Sequence, residues 1–247
     1  MQLTVLGCAG TYPAPDSPCS SYLLEAQGYR LLLDLGSGAV GALARHHPGG
    51  DLRDIDAALI SHLHGDHWLD LVPYAYARRY APGGAAPTLP VYSPSGLARL
   101  LRYVGASTVR AAYDIRRLST AELTLGPFTI NPARTAHPVE TYALRVAAGG
   151  RTLTYSADTG ASDAIVALAH GSDTFLCEAT SKDGENHPPG LHLTGAQAGA
   201  HAARADVNRL LLTHIAPYGD PQHRLASARA VYSGPVELAR SGASYTI

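Results

Sequence analysis

The sequence predicts an α/β fold, a four-layer αββα sandwich in which two packed sheets carry helices on their outer faces. Three observations predict it. Strand-like segments fill both halves of the chain, and each half then gains helical segments. The stretch IDAALIS (55–61) is a nearly continuous apolar run, the pattern of a strand covered on both faces. No repeat or long low-complexity linker divides the 247 residues, so residues 1–247 are read as a single domain.

The elements follow in order. LTVLG (3–7) opens the chain as a strand, and SSYLLEA (20–26) with YRLLLDLG (29–36) forms a hairpin across a tight QG turn. GAVGALARHH (38–47) has apolar residues at helical spacing and stops at Pro48-Gly49-Gly50. After the strand at 55–61, HWLDLVPYAYARRY (67–80) reads as a helix that Pro73 kinks or splits. A Pro/Gly-rich link (82–87) leads to a strand at LPVYS (89–93), a helix over 94–104 and several strands through residue 133. ETYALRVAAGGRTLTYSAD (140–158) is a hairpin turning at Gly149-Gly150. Two strand–helix units come next, TFLCEAT with TGAQAGAHAARA and RLLLTH with RLASARAVY, before PVELAR and ASYTI close the chain.

Composition excludes some functions. The formal net charge is −1, and Lys182 is the one lysine, so the chain lacks the basic excess of a nucleic-acid binder. Cys8, Cys19 and Cys177 form no CxxC pair and read as packed thiols of a reducing compartment. No apolar run approaches the ~20 residues that cross a bilayer, and the expected location is the cytoplasm without membrane attachment.

The chemistry concentrates in SHLHGDHW (61–68), which packs His62, His64, Asp66 and His67 directly after an apolar strand. Imidazole and carboxylate are ligands of Zn²⁺ and related divalent ions. His62 and His64 lie two apart at the strand's end, where a turn can aim both at one ion; Asp66 and His67 can face a second. Four ligands in one loop cannot close two sites. His137, Asp158 and His214 each follow a predicted strand and can complete them, Asp158 as a bridge between the ions.

HLHGDH, with His137, Asp158 and His214 in order, resembles the metallo-β-lactamase superfamily, over the whole chain. The resemblance implies an αββα sandwich with a binuclear site at its rim. His62, His64 and His137 would hold one ion, and Asp66, His67 and His214 the other, with Asp158 shared. Asp34 in LLLDLG matches the early aspartate that buttresses the metals. Zn²⁺ is the expected metal, with Mn²⁺ and Fe²⁺ as alternatives.

CEAT (177–180) and LHLT (191–194) resemble the HEAT motif and the following histidine of ribonuclease Z, with Cys177 in place of the motif's first histidine. The resemblance assigns Glu178 and His192 as a pair beside the leaving group. His192 would protonate the departing oxygen while Glu178 holds its tautomer. A metal-bridging hydroxide would attack phosphorus, and Asp66 would help orient it. His187 is an alternative proton donor. Ribonuclease Z proper inserts a long tRNA-gripping arm between the ligands matching His137 and Asp158, but only 20 residues separate them here.

The wider pattern is similar to stand-alone bacterial, chiefly actinobacterial, proteins that include atypical class II cyclic-nucleotide phosphodiesterases. The expected substrate is therefore a small phosphodiester, 3′,5′-cyclic AMP first. The alternatives are a ribonuclease Z-like nuclease, gripping RNA through Arg78, Arg79, Arg116 and Arg117, and a thioester or lactone hydrolase. Relatives commonly dimerise, which implies a homodimer.

Overall fold

The computed structural model describes residues 1–46, 51–105, 107–184, 188 and 190–247. The first half builds β1 (Gln2–Gly7), β2 (Ser21–Ala26), β3 (Tyr29–Leu33), α1 (Ala39–His46), β4 (Ala57–Leu59), α2 (Gly65–Trp68), α3 (Leu71–Tyr80), β5 (Leu89–Ser93), α4 (Leu97–Val104), α5 (Ser107–Ala112) and β6 (Tyr113–Arg117). The second builds β7 (Leu123–Leu125), β8 (Phe128–Arg134), β9 (Tyr142–Ala148), β10 (Arg151–Tyr155), α6 (Asp163–Ala169), β11 (Thr174–Glu178), α7 (Gly195–Arg204), β12 (Leu210–Thr213), α8 (Pro221–Arg229), β13 (Val236–Leu238) and β14 (Ser244–Thr246).

The strands form two mixed sheets, in the orders β14-β1-β2-β3-β4-β5-β6 and β13-β12-β11-β10-β9-β8-β7. Alternation within single strands sorts side chains into three apolar layers. Leu31, Leu33 and Leu59 of the first sheet meet Leu144, Leu153 and Leu176 of the second between the sheets. Leu32, Ala58 and Val91 point the other way, under α1, α3, α4 and α5. Phe175, Leu210 and Leu212 point outward from the second sheet, under α6, α7 and α8. Three apolar layers between four structural layers make the expected αββα sandwich. Among the described residues no helix is long and apolar enough to cross a membrane.

Strand direction decides where the chemistry gathers. β3 to β6 run parallel in the first sheet, and β10 to β13 run parallel in the second. β8 pairs antiparallel with β9, and β9 antiparallel with β10, so β8 points the same way as β10. The C-terminal ends of β3, β4, β8, β10, β11 and β12 therefore carry their connecting loops at the strand ends where the donor residues lie.

Several boundaries differ from the sequence expectation. The strand expected over 55–61 is shorter, Ala57–Leu59, and beyond it the Ser61 amide turns to the Asp34 carboxylate instead of a neighbouring strand. The helix expected over 67–80 is two helices, and the break falls at Leu69–Asp70 rather than at Pro73. Pro73 sits in the first turn of α3, where a missing N–H removes no intrahelical bond. The helix expected from residue 94 begins at Leu97. The helical segments α5 and α6 were not expected. The stop at Pro48-Gly49-Gly50 and the alternative donor His187 lie outside the described residues.

Candidate metal centre

The loop after β4 folds tightly. The His67 amide donates to the His64 carbonyl at 3.1 Å, and the Trp68 indole N–H to the Leu63 carbonyl at 3.0 Å. The Leu35 amide, just beyond β3, donates to the His67 carbonyl at 2.8 Å. A side chain at Gly36 would collide with the Asp66 carbonyl oxygen, so glycine serves there for close approach rather than for turn conformation alone. Trp68 and Tyr74 are buried core, whereas Tyr76 is exposed against Tyr80.

All seven sequence-predicted ligands meet at this rim, in two groups. His62 Nε2 lies 3.1 Å from His64 Nδ1 and 3.6 Å from Asp158 Oδ2. His64 Nδ1 lies 3.2 Å from His137 Nε2. In the second group His67 Nε2 is 3.1 Å from His214 Nε2 and 3.6 Å from Asp66 Oδ2. His214 Nε2 is 3.2 Å from Asp66 Oδ2, and Asp158 Oδ1 is 3.4 Å from both of these histidine nitrogens. Asp158 thus offers one oxygen to each group.

These separations test whether a metal fits. Tetrahedral Zn²⁺ with bonds of about 2.0–2.1 Å has donor–donor edges of about 3.3–3.4 Å, the scale of the distances here. The tautomers agree, as inferred from the partners. His137 Nδ1–H donates to the Leu191 carbonyl at 2.9 Å, and His67 Nδ1–H to Asp34 Oδ2 at 2.8 Å. Ser61 donates its hydroxyl to Asp34 Oδ2, leaving its oxygen to accept from His62 Nδ1–H at 3.1 Å. Thr180 donates to the His214 carbonyl and accepts from His214 Nδ1–H at 2.8 Å. His62, His137 and His214 therefore turn Nε2 lone pairs to the centre, and His67 would add a fourth on giving up its Nε2 proton, an arrangement that a cation satisfies. Asp158 Oδ1 is buried and has no hydrogen-bond partner among the described residues. The donor sets fit divalent ions.

Asp34 is buried and more heavily used than a single buttress. It accepts from the Ser61 amide at 2.6 Å, the Ser61 hydroxyl at 2.8 Å, His67 and the Tyr155 hydroxyl at 2.7 Å. Backbone strain collects at the same place: Thr11, Asp34, Ala157 and His214 all have φ between +49° and +70°.

Charge follows position. Burial pushes the pKa of His62 far down, and lowers those of His64 and His137, so these three are neutral ligands in waiting. Burial also opposes charge on His67, but Asp158 and Asp34 overrule it and hold its pKa well above the ordinary imidazole value. Burial opposes ionisation of Asp158 in turn, yet His214, His67 and His62 keep it well below the carboxylate range. Asp66 is likewise lowered, by His214 and His67 against burial.

Glu178 and His192 meet as expected. His192 Nδ1 lies 2.9 Å from Glu178 Oε1, which also accepts from the Thr159 amide at 2.7 Å. No arginine pairs with Glu178 among the described residues, and His192 does not cap α7, because Thr194 does so in a capping box with Gln197. Burial lowers the His192 pKa, but Glu178, Asp158 and Asp66 lift it to about 9. Donor atoms of His192, Asp158 and His214 lie within 4.8 Å of one another.

Sequence reasoning missed Thr11, Ser61, Tyr155, Thr180 and Arg224. The Thr11 amide donates to Asp66 Oδ2 at 2.8 Å. Asp220 caps α8 with Pro221 in its first turn, which places the buried Arg224 guanidinium on the Ala179 and Thr180 carbonyls. The run Asp220-Pro221-Gln222, a capping residue followed by proline, is the available sequence signal for that helix start. Of the four arginines that the nuclease alternative would use to grip RNA, three have partners within the chain. Arg78 is buried on the Arg53 and Pro87 carbonyls, Arg116 is tied to Asp114 and Tyr92, and Arg117 to Glu140.

Residues 29–215 match the family model described as Beta-lactamase superfamily domain. Uncharacterized protein Rv1339 of Mycobacterium tuberculosis is 41% identical over 245 residues, covering 96% of this chain and 88% of its own. Probable metallo-hydrolase YhfI of Bacillus subtilis is 32% identical over 98% of each chain. The YhfI crystal structure superposes with a TM-score of 0.90 at 30% identity, over 99% of this chain and 98% of that one. Ribonuclease Z of Myxococcus xanthus is 25% identical over 302 aligned residues, covering 98% of this chain and 96% of its own.

Proposed function

We propose, for a chain that belongs to the beta-lactamase superfamily, the hydrolysis of a small phosphodiester at two divalent ions, with 3′,5′-cyclic AMP to 5′-AMP as the leading reaction. Zn²⁺ is the first choice of metal. His62, His64 and His137 would hold one ion, Asp66, His67 and His214 the other, and Asp158 both. Ions so held would supply the Lewis acidity that makes water nucleophilic at neutral pH and offsets charge on the phosphoryl oxygens.

The observation that carries this reading is the His192–Glu178 pair set against the two donor groups. A ribose oxygen leaves phosphorus poorly unless it is protonated as it departs. His192 holds its Nδ1 proton toward Glu178, which leaves Nε2 to deliver the second proton to that oxygen. Without bound ions, Glu178, Asp158 and Asp66 lift its pKa against burial to about 9, which favours the imidazolium, and bound cations would draw that value down. Asp66, fixed by the Thr11 amide, is assigned the orientation of the attacking water. A thioester or lactone hydrolase has less need of a cationic donor at this place.

Substrate size is argued from what lies between His137 and Asp158. β9, β10 and the Gly149-Gly150 turn occupy that interval almost entirely. The 302 positions aligned with the ribonuclease Z exceed this chain's 247 residues, so that relative carries segments absent here. With Arg78, Arg116 and Arg117 engaged locally, support for a tRNA grip is weak.

The test is a panel on metal-loaded protein: cyclic AMP, cyclic GMP, bis-p-nitrophenyl phosphate, precursor tRNA and a thioester. Cyclic AMP should turn over with the highest kcat/KM. Cleavage of precursor tRNA without cleavage of either cyclic nucleotide would replace the substrate; thioester turnover alone would replace the reaction.

A further inference from the structure

Two tyrosines stand outside the machinery described so far. Tyr12 and Tyr218 are 47% and 74% exposed, and neither joins any of the three apolar clusters. Their rings face one another with centroids 6.3 Å apart and planes inclined at 35°. The two rings touch each other, but the aromatic faces they leave in water belong to none of the three apolar clusters.

Both rings grow from loops rooted in the second donor group. Thr11, immediately before Tyr12, gives its amide to Asp66 Oδ2 at 2.8 Å. Tyr218 follows His214 by four residues. The loops are also stitched together: Ala9 and Ile215 form an isolated parallel bridge, and the Gly10 amide donates to the Ile215 carbonyl at 3.1 Å. A Cβ on Gly10 would lie 2.7 Å from the His214 carbonyl oxygen, so this approach needs glycine. Thr11 and His214 adopt φ of +70° and +54°, backbone that β-branched threonine avoids unless its surroundings hold it there. Tyr12 thus adjoins a residue that touches the centre, and Tyr218 lies four residues beyond His214 on the loop bridged to it.

We propose that Tyr12 and Tyr218 are stacking jaws that grip the base of a nucleotide substrate beside the Asp66–His214 side of the centre. This rests on the phosphodiesterase reading and deepens it. The rings now meet as a tilted pair, 6.3 Å between centroids at 35°, and a base entering between them would part that contact by rotation of two exposed side chains and gain a π face on each side. The phosphate needs no aromatic contact, so the jaws act on the base alone. Stacking tolerates every base, because each has a π face, and it uses the tyrosine ring rather than its hydroxyl.

The experiment compares kcat and KM of full-length, metal-loaded wild type, Tyr12→Ala, Tyr218→Ala and both Tyr→Phe variants. The substrates are cyclic AMP and methyl riboside 3′,5′-cyclic phosphate, the same ring without a base. Each alanine variant should raise KM for cyclic AMP about tenfold, leave kcat and the base-free substrate near wild type, and be rescued by phenylalanine. An unchanged KM for cyclic AMP, or equal losses on both substrates, overturns the jaws. Binding of 2-aminopurine riboside 5′-monophosphate provides a readout independent of turnover. Quenching of its fluorescence by wild type but not by the alanine variants upholds the jaws even if no cyclic phosphate is cleaved, an outcome that would sink the reaction alone. Equal quenching by all variants, or none by wild type, overturns them.

Discussion

The two donor groups share Asp158 but differ in charge, and the difference indicates how each would take up an ion. The first has three imidazoles and one carboxylate, and burial already holds its histidines neutral. The second has two imidazoles and two carboxylates, and Asp158 and Asp34 draw a proton onto His67 in the metal-free chain. A cation entering the first group meets vacant lone pairs; one entering the second displaces a proton but gains more negative charge. The same ligand types therefore make one site that is ready and one that is primed by a proton.

The largest expected effect tests the sharing itself. Asp158→Ala should reduce bound metal from two ions per chain to fewer than one, with activity down at least about 10⁴-fold. Metal analysis that still finds one full equivalent would assign Asp158 to a single group. His192→Ala should slow alkoxide leaving groups about 10²- to 10⁴-fold, spare p-nitrophenolate and keep both ions. Equal losses on both leaving groups would remove His192 from proton delivery.

Asp34→Asn sharpens the contrast between the groups. His67 hangs directly on Asp34, whereas His62 reaches it through Ser61. Chelator competition should show about 10- to 100-fold weaker binding, chiefly at the second group; an even loss would erase the distinction. Thr180→Val removes the anchor of His214 and should cost about tenfold at the same group.

The smallest effect is a shift in pH. His192 has a raised pKa, so the stability from its pairing with Glu178 is complete below about 6.5 and fades as pH rises through about 9. Tm of metal-free protein should fall over that interval, and His192→Ala should flatten the fall. Bound divalent cations oppose the imidazolium. The basic limb of kcat/KM for cyclic AMP in loaded enzyme should accordingly lie below about 9. A limb unchanged in His192→Ala would belong to another group.

Much of the centre was legible in the chain. His62, His64, Asp66 and His67 are neighbours, and His137, Asp158 and His214 each follow a strand, so periodicity located them. The supporting partners left no such trace. Tyr155 reaches Asp34 across 121 positions, and Thr180 reaches His214 across 34. A hydrogen bond needs one donor at one place, and no local pattern announces it. The burial of Arg78 is hidden for a related reason: charge is visible in a sequence, but the Arg53 and Pro87 carbonyls that hold this guanidinium are set in place by the fold. The break at Leu69–Asp70 has no local signal, because it depends on the Leu35 carbonyl claiming the Asp70 amide.

By itself the sequence determined which residues could ligate, which segments alternate or repeat at helical spacing, and that one loop is built for a cation. Those are properties of residue type and short separation. Only the tertiary structure decided that the ends of β3, β4, β8, β10, β11 and β12 gather, that Asp158 turns one oxygen to each group, and that Tyr12 faces Tyr218. Such facts depend on strand direction and sheet packing, which bring together atoms whose separation along the chain carries no signal.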